Sequence, residues 1–254
     1  MKKFGLQLWT VKDAAERDFL GTLRRVGQMG YHGVEFAGFH NTPAEVLRKE
    51  MSEAGLSAAG SHTSIEMLEG NLKEVFQYNK TIGNHLIVCP WLPEERRKTE
   101  ADYLELAALF NTIGKECQEE GFLFAYHNHD FEFTQFGGKT GYEILLTQTD
   151  PNFVSFELDC YWVSYSGYDP LELLTKYPDR FCSLHLKDMK IVDGRKRSIE
   201  IGTGQLDFAA LLNNAKHLPN LNWCIVEQEQ FDRDPLESCK ISIDYLTALS
   251  VDSR

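Results

Sequence analysis

The chain has 254 residues, 43% of them hydrophobic and 25% charged, and its 38 acidic against 26 basic side chains leave a formal net charge of -12. That composition is ordinary for a globular protein, and the acidic excess argues against nucleic acid and anionic membranes as partners, since both are captured by clustered Lys and Arg. No stretch reaches the ~18 consecutive apolar residues of a membrane span, and the opening Met1-Lys2-Lys3-Phe4-Gly5 lacks the apolar core of a signal peptide. A cytoplasmic location is therefore expected. The six cysteines, Cys89, Cys117, Cys160, Cys182, Cys224 and Cys239, form no CxxC pair and read as buried free thiols.

Strand-length apolar runs alternate with helix-period stretches from one end to the other. A strand is expected over residues 4–9, then a helix over 16–29 whose Phe19, Leu23 and Val26 share a face and which Gly30 closes. The second strand, 33–36, leads to Thr42-Pro43-Ala44-Glu45, which reads as an N-cap, a proline at the first helical position and a capping-box glutamate. Further strands are expected at 56–60, 85–89, 122–127, 154–159, 181–186 and 223–227. The intervening helices fall at 72–82, 101–119, 141–147, 170–177 and 208–216, with a closing helix at 235–249. Eight strand–helix units at a mean spacing of roughly 32 residues predict a single α/β domain over residues 1–254, a (β/α)8 TIM barrel. The rival, an open doubly wound sheet, carries a Gly-rich phosphate turn after its first strand; Trp9-Thr10-Val11-Lys12 offers none.

In such a barrel the chemistry lies at the C-terminal ends of the strands. Those ends carry Gln7 and Trp9, Glu35, His62, Trp91, His127 and His129, Asp159, His185 and Lys187, and Glu227 and Glu229, a set rich in groups that bind metals or move protons. Singly, Asp159 reads as a helix cap and His185 as a satisfied core histidine. Together with Glu227 they end three consecutive strands, with His127 next on the rim, and such a set can hold a divalent cation. Mixed nitrogen and oxygen donors suit manganese, cobalt, iron or zinc, while magnesium prefers more oxygen and water. In Tyr126-His127-Asn128-His129-Asp130 the alternation of side chains puts both histidines on one side. Glu157 shares the face of Asp159 one pleat deeper, and Glu132 reads equally as a solvated loop residue. Trp9, Trp91, Tyr161 and Trp162 near the mouth suit the C–H faces of a sugar ring, although each alone reads as core. Gly194-Arg195-Lys196-Arg197 reads as a solvated loop rather than a phosphate site, and Gly202-Thr203-Gly204 as an anion nest.

These segments resemble the sugar phosphate isomerase/epimerase superfamily, the xylose isomerase-like barrels that also include ketose epimerases, inosose dehydratase and endonuclease IV. The resemblance is carried by Leu6-Gln7-Leu8-Trp9-Thr10, Gly30-Tyr31-His32-Gly33-Val34-Glu35, Ser61-His62 and Tyr126-His127-Asn128-His129. It continues in Glu157 to Val163, His185-Leu186-Lys187-Asp188, Ile201 to Phe208 and Val226-Glu227-Gln228-Glu229. It implies one divalent metal held by Glu, Asp, His and Glu from strands five to eight, with the two glutamates flanking the substrate. Asp159, His185 and Glu227 match that set; His127 stands where the first glutamate is usual. The two-glutamate mechanism therefore does not carry over, and the Tyr-His-x-His version is similar to inosose dehydratase and to barrels acting on oxidised sugars. The endonuclease branch needs three metals and a basic face, which the net charge opposes.

The resulting expectation is an isomerase or epimerase that abstracts a proton α to the carbonyl of a small keto sugar or cyclitol. One divalent metal (Mn, Co, Mg, Fe or Zn) would sit on His127, Asp159, His185 and Glu227. Glu227 would be the base on one face and His129 or Glu132 the acid or base on the other, with Trp9, Glu35, His62 and Lys187 positioning substrate. Two alternatives stand beside it: a dehydratase or lyase on a keto-inositol or 3-keto glycoside, and a non-catalytic sugar-binding barrel. Barrels of this kind often form homo-oligomers, and no segment of the sequence marks an interface.

Overall fold

The computed structural model describes residues 3–252. Eight parallel strands close into a barrel: β1 (Lys3–Gln7), β2 (Gly33–Phe36), β3 (Ser57–His62), β4 (Leu86–Cys89), β5 (Leu123–His127), β6 (Val154–Asp159), β7 (Phe181–Leu186) and β8 (Trp223–Val226). Each strand pairs with its sequence neighbours, and closure joins β1 to β8 with Leu6 opposite Val226. This is the TIM barrel that the alternation predicts.

The period of two along each strand decides what fills the interior. Gly5 and Gln7, Ala125 and His127, Ser183 and His185, and Ile225 and Glu227 share inward faces, so small or apolar residues lie low and polar ones directly above them. Gly60 shows why the lower layer must be small: a Cβ there would lie 2.6 Å from Glu35 Oε1. On the outward faces Phe36, Phe124 and Phe156 are fully buried beneath the helices, and Phe181 joins them because a register irregularity between β6 and β7 resets the alternation there.

Most elements fall within a few residues of expectation, and the exceptions have local causes. The first strand ends at Gln7, whose side chain accepts from Trp9 N–H and starts a 3-10 turn, Leu8–Val11. The first helix is two, Lys12–Arg17 and Phe19–Met29, because Asp18 leaves helical geometry and caps the second through Gly21 N–H. Pro43, not Thr42, occupies the N-cap of Ala44–Glu53, and no side chain caps that helix. The basic run is not a loop: Asp188–Val192 and Arg195–Ile199 form an antiparallel ribbon, with Lys196 on the Tyr165 carbonyl and Arg197 on Asp232. The predicted anion nest is already filled. Asp188 accepts from the N–H groups of Met189, Gly202, Gly204 and Leu206, so this chain's own carboxylate sits where an external anion would. The six cysteines are buried and free, and no helix among the described residues is long and apolar enough to cross a membrane.

Candidate metal and catalytic site

Closure brings the ends of β5 to β8 side by side on one rim. One ligand atom from each of His127, Asp159, His185 and Glu227 lies within 4.8 Å of the others, and all four side chains are buried. Asp159 is fixed by its position: Oδ1 caps the helix Cys160–Tyr165 through Tyr161 N–H (2.8 Å) and Trp162 N–H (3.0 Å), which leaves Oδ2 without a hydrogen bond. Asn128 pins this corner by accepting from Asp159 N–H at 3.0 Å.

His185 has both ring nitrogens engaged. Nδ1 lies 3.1 Å from Glu227 Oε2, while Nε2 lies 2.7 Å from Glu35 Oε2 and 3.0 Å from Glu157 Oε1. A carboxylate behind a histidine fixes its tautomer and raises its basicity as a ligand. Burial opposes charge on this imidazole, but Glu157 and Glu35 outweigh it and raise its pKa well above the usual value. His62 behaves alike: burial lowers its pKa, and Glu35 and Glu157 lift it to about 9.

Lys187, expected to touch substrate, is instead fully buried beside this cluster, with Nζ 2.7 Å from Glu229 Oε1, 2.9 Å from Glu227 Oε2 and 3.3 Å from Asp159 Oδ2. Burial would push the Glu227 carboxyl upward; Lys187 and His185 overcome this and hold it well below the usual carboxylate range. Glu227 is thus ionised near neutrality.

Above this layer opens a cup of about 500 Å³, whose walls include Trp9, Trp91, His62, His127, His129, Glu227 and Glu229. Trp9 and Trp91 are each 48% exposed, which makes them cup walls rather than core. Burial, with His127 and Lys187 nearby, lowers the pKa of His129 well below the ordinary imidazole value. The ring is neutral as it faces the cup.

Besides Lys187, two further expected residues do not line the cup. Glu35 does not line the cup: it is fully buried, accepts from Gln7 Nε2 at 2.8 Å and backs His62 and His185. Glu132 is not solvated but fully buried, accepting from the Tyr126 hydroxyl and from His129 N–H (2.9 Å). Burial raises its carboxyl to about 8. Sequence reasoning assigned no role to Gln7, Asn128 or Glu157; the signal for Gln7 and Glu157 was their parity, which puts polar side chains inside a barrel.

A metal fits the residues present. Asp159 Oδ2, His127 Nδ1 and Glu157 Oε2 are buried without a hydrogen bond, and buried charges are retained where they are paired or bind a cation. His127, Asp159, His185 and Glu227 supply the nitrogen and oxygen donors that suit a divalent transition ion.

Fold and site together define a class: a single-domain TIM barrel with a metal-capable cluster at the C-terminal ends of its strands. The chain belongs to the xylose isomerase-like TIM barrel family, whose model matches residues 23–249. It is 32% identical over 263 residues to the inosose dehydratase of Clostridium tetani, which covers 87% of each protein. To that of Geobacillus kaustophilus it is 26% identical over 268 residues, 89% of this chain and 86% of the relative. Among solved structures, a sugar phosphate isomerase/epimerase from Parabacteroides distasonis superposes with a TM-score of 0.82 at 28% identity, over 97% of this chain and 94% of that one.

Proposed function

We propose that the protein is a divalent-metal-dependent enzyme that removes the proton α to the carbonyl of a small keto sugar or keto cyclitol. One observation carries the reading: Glu227 is the carboxylate that belongs both to the four-group cluster and to the wall of the cup. A divalent metal on His127, Asp159, His185 and Glu227 would polarise the carbonyl and acidify the adjacent carbon. Glu227, kept ionised by Lys187, takes the proton from one face. His129, neutral on the β5 side, is the group available on the other. Trp9 and Trp91 offer apolar faces to the ring.

Of the two outcomes that share this first step, β-elimination of water is favoured. His127 replaces the carboxylate that a second, opposed base would require, and the relatives named above are inosose dehydratases. Isomerisation or epimerisation is the second reading, favoured by the solved isomerase/epimerase neighbour and by the position of His129. Incubating metal-loaded enzyme with an inosose and with ketoses in D2O, followed by NMR, tests both. An unsaturated product formed with loss of water supports elimination; deuterium at the α carbon with a moved carbonyl or an inverted centre supports the second reading. Sugar binding that persists equally under chelator, with no exchange at any carbon, leaves a non-catalytic sugar-binding barrel. Normally folded Asp159→Ala and His185→Ala variants with full metal content and turnover would sink the proposal.

A further inference from the structure

One pleat below the outer cluster lies a second group, His62, His127, Glu157 and His185, whose ligand atoms also fall within 4.8 Å of one another. We propose that this deep group is a cation site in its own right, of the type that suits zinc. Three imidazole nitrogens surround a single oxygen, Glu157 Oε1: His62 Nε2 at 3.0 Å, His127 Nδ1 at 3.2 Å and His185 Nε2 at 3.0 Å. Four donors bound tetrahedrally at ~2.0–2.2 Å stand roughly 3.3 Å apart; the three nitrogen–oxygen spacings fall within a few tenths of an ångström of that value, and all four donor atoms lie within 4.8 Å of one another.

The directions agree with the distances. His127 Nδ1 is within reach of Glu157 Oε1 yet makes no hydrogen bond, and Glu157 Oε2 has none either. Two donors aimed at a common point meet at such a distance without pointing at each other. Charge leads to the same place. Glu35 and Glu157 are fully buried, and among the described residues no Lys or Arg pairs with them, because Lys187 is taken by Asp159, Glu227 and Glu229. Apart from the imidazoles themselves, a dication bound here would be the counter-charge to these two carboxylates.

The two groups share their histidines through opposite ring atoms. His127 turns Nδ1 to the deep group and Nε2 towards Asp159 Oδ2 (3.9 Å), and His185 turns Nε2 down and Nδ1 to Glu227. Four protein donors with no open position describe a structural ion rather than a catalytic one. Filling both groups makes the shared rings bridging imidazolates and releases their protons. The deep seat is therefore tested with the outer one disabled.

The test is zinc binding by the Asp159→Asn/Glu227→Gln double variant, in which Asn keeps the helix cap. The proposal expects about one equivalent of zinc, an X-ray absorption signature of three imidazole nitrogens and one carboxylate oxygen, and loss of that zinc when either Glu157→Gln or His62→Gln is added. A folded double variant that binds no zinc, or whose zinc is indifferent to both additions, overturns it. Should the double variant not fold, zinc-edge anomalous scattering from crystals of the unaltered protein soaked in zinc decides. A peak among His62, His127, Glu157 and His185 supports the deep site, and density confined to the space between Asp159 and Glu227 overturns it.

Discussion

The outer and deep halves of the polar layer contain the same kinds of group but balance their charge differently. In the outer half Asp159, Glu227 and Glu229 gather around the ammonium of Lys187; in the deep half, among the described residues, Glu35 and Glu157 pair with imidazoles and the Gln7 amide. The outer carboxylates therefore keep a counter-charge whatever else comes and goes, which suits a face where ligands exchange. The deep carboxylates depend on His62 and His185 staying protonated, or on a cation, which suits a floor that holds the outer ligands still. Strand parity thus places two differently balanced clusters of polar groups within one ring of side chains.

The comparison breaks most visibly at Glu227. Glu227→Gln keeps shape and removes the proton acceptor, so turnover should fall by about 10²–10⁴ while the circular dichroism spectrum stays unchanged; a variant as fast as the parent would move the base elsewhere. Next comes Lys187→Met, which leaves three carboxylates without their ammonium. The metal-free variant should lose about 3–5 kcal/mol in denaturant unfolding and recover much of it on adding divalent metal, so its metal-induced rise in Tm should exceed that of the parent. An equal rise in both would show that Lys187 and the metal do not answer the same charge.

Glu35→Gln probes the floor. Loss of the carboxylate behind His185 should weaken metal binding by ~10–100-fold in competition with a chromophoric chelator, and unchanged affinity would detach the floor from the outer site. The smallest effect is a change of slope at Glu132. Its carboxyl has an ordinary value of 4.5 and is raised to about 8 in the folded protein, so between those values the native state holds a proton that the unfolded chain has released. Stability contributed by this group is full below the unfolded value and falls as pH rises through the window, levelling above it. The stability of Glu132→Gln relative to the parent should therefore grow from about pH 5 to about pH 8, and a difference independent of pH would contradict this.

The barrel was legible because eight apolar runs at regular spacing admit few closures, and the clustering of Asp159, His185 and Glu227 because each lies at the end of a strand. What sequence reasoning misread were groups whose partners are set by the folded path of the backbone rather than by residue type. Glu132 follows Asp130 in a polar-looking loop, yet the Tyr126 hydroxyl reaches it from β5 and closes it off from solvent. Gly202-Thr203-Gly204 has the composition of an anion nest, and only the fold reveals that Asp188 fills it. Pro43 took the cap from Thr42 because Val46 and Leu47 donate to the Pro43 carbonyl, which begins the helix one residue late. Glu35 was read as a substrate contact because strand ends face the cup, but β2 ends low and its glutamate points into the layer beneath.

The most direct test of the central claim, that His127 completes a metal site at this barrel mouth in place of a glutamate, is elemental mass spectrometry of the unaltered protein and of His127→Ala. Both are purified without chelator or nickel affinity resin. Near-stoichiometric divalent metal in the parent, lost in the variant, is the predicted result. Metal absent from both even after reconstitution would contradict the account, and metal retained in the variant would remove His127 from the ligand set.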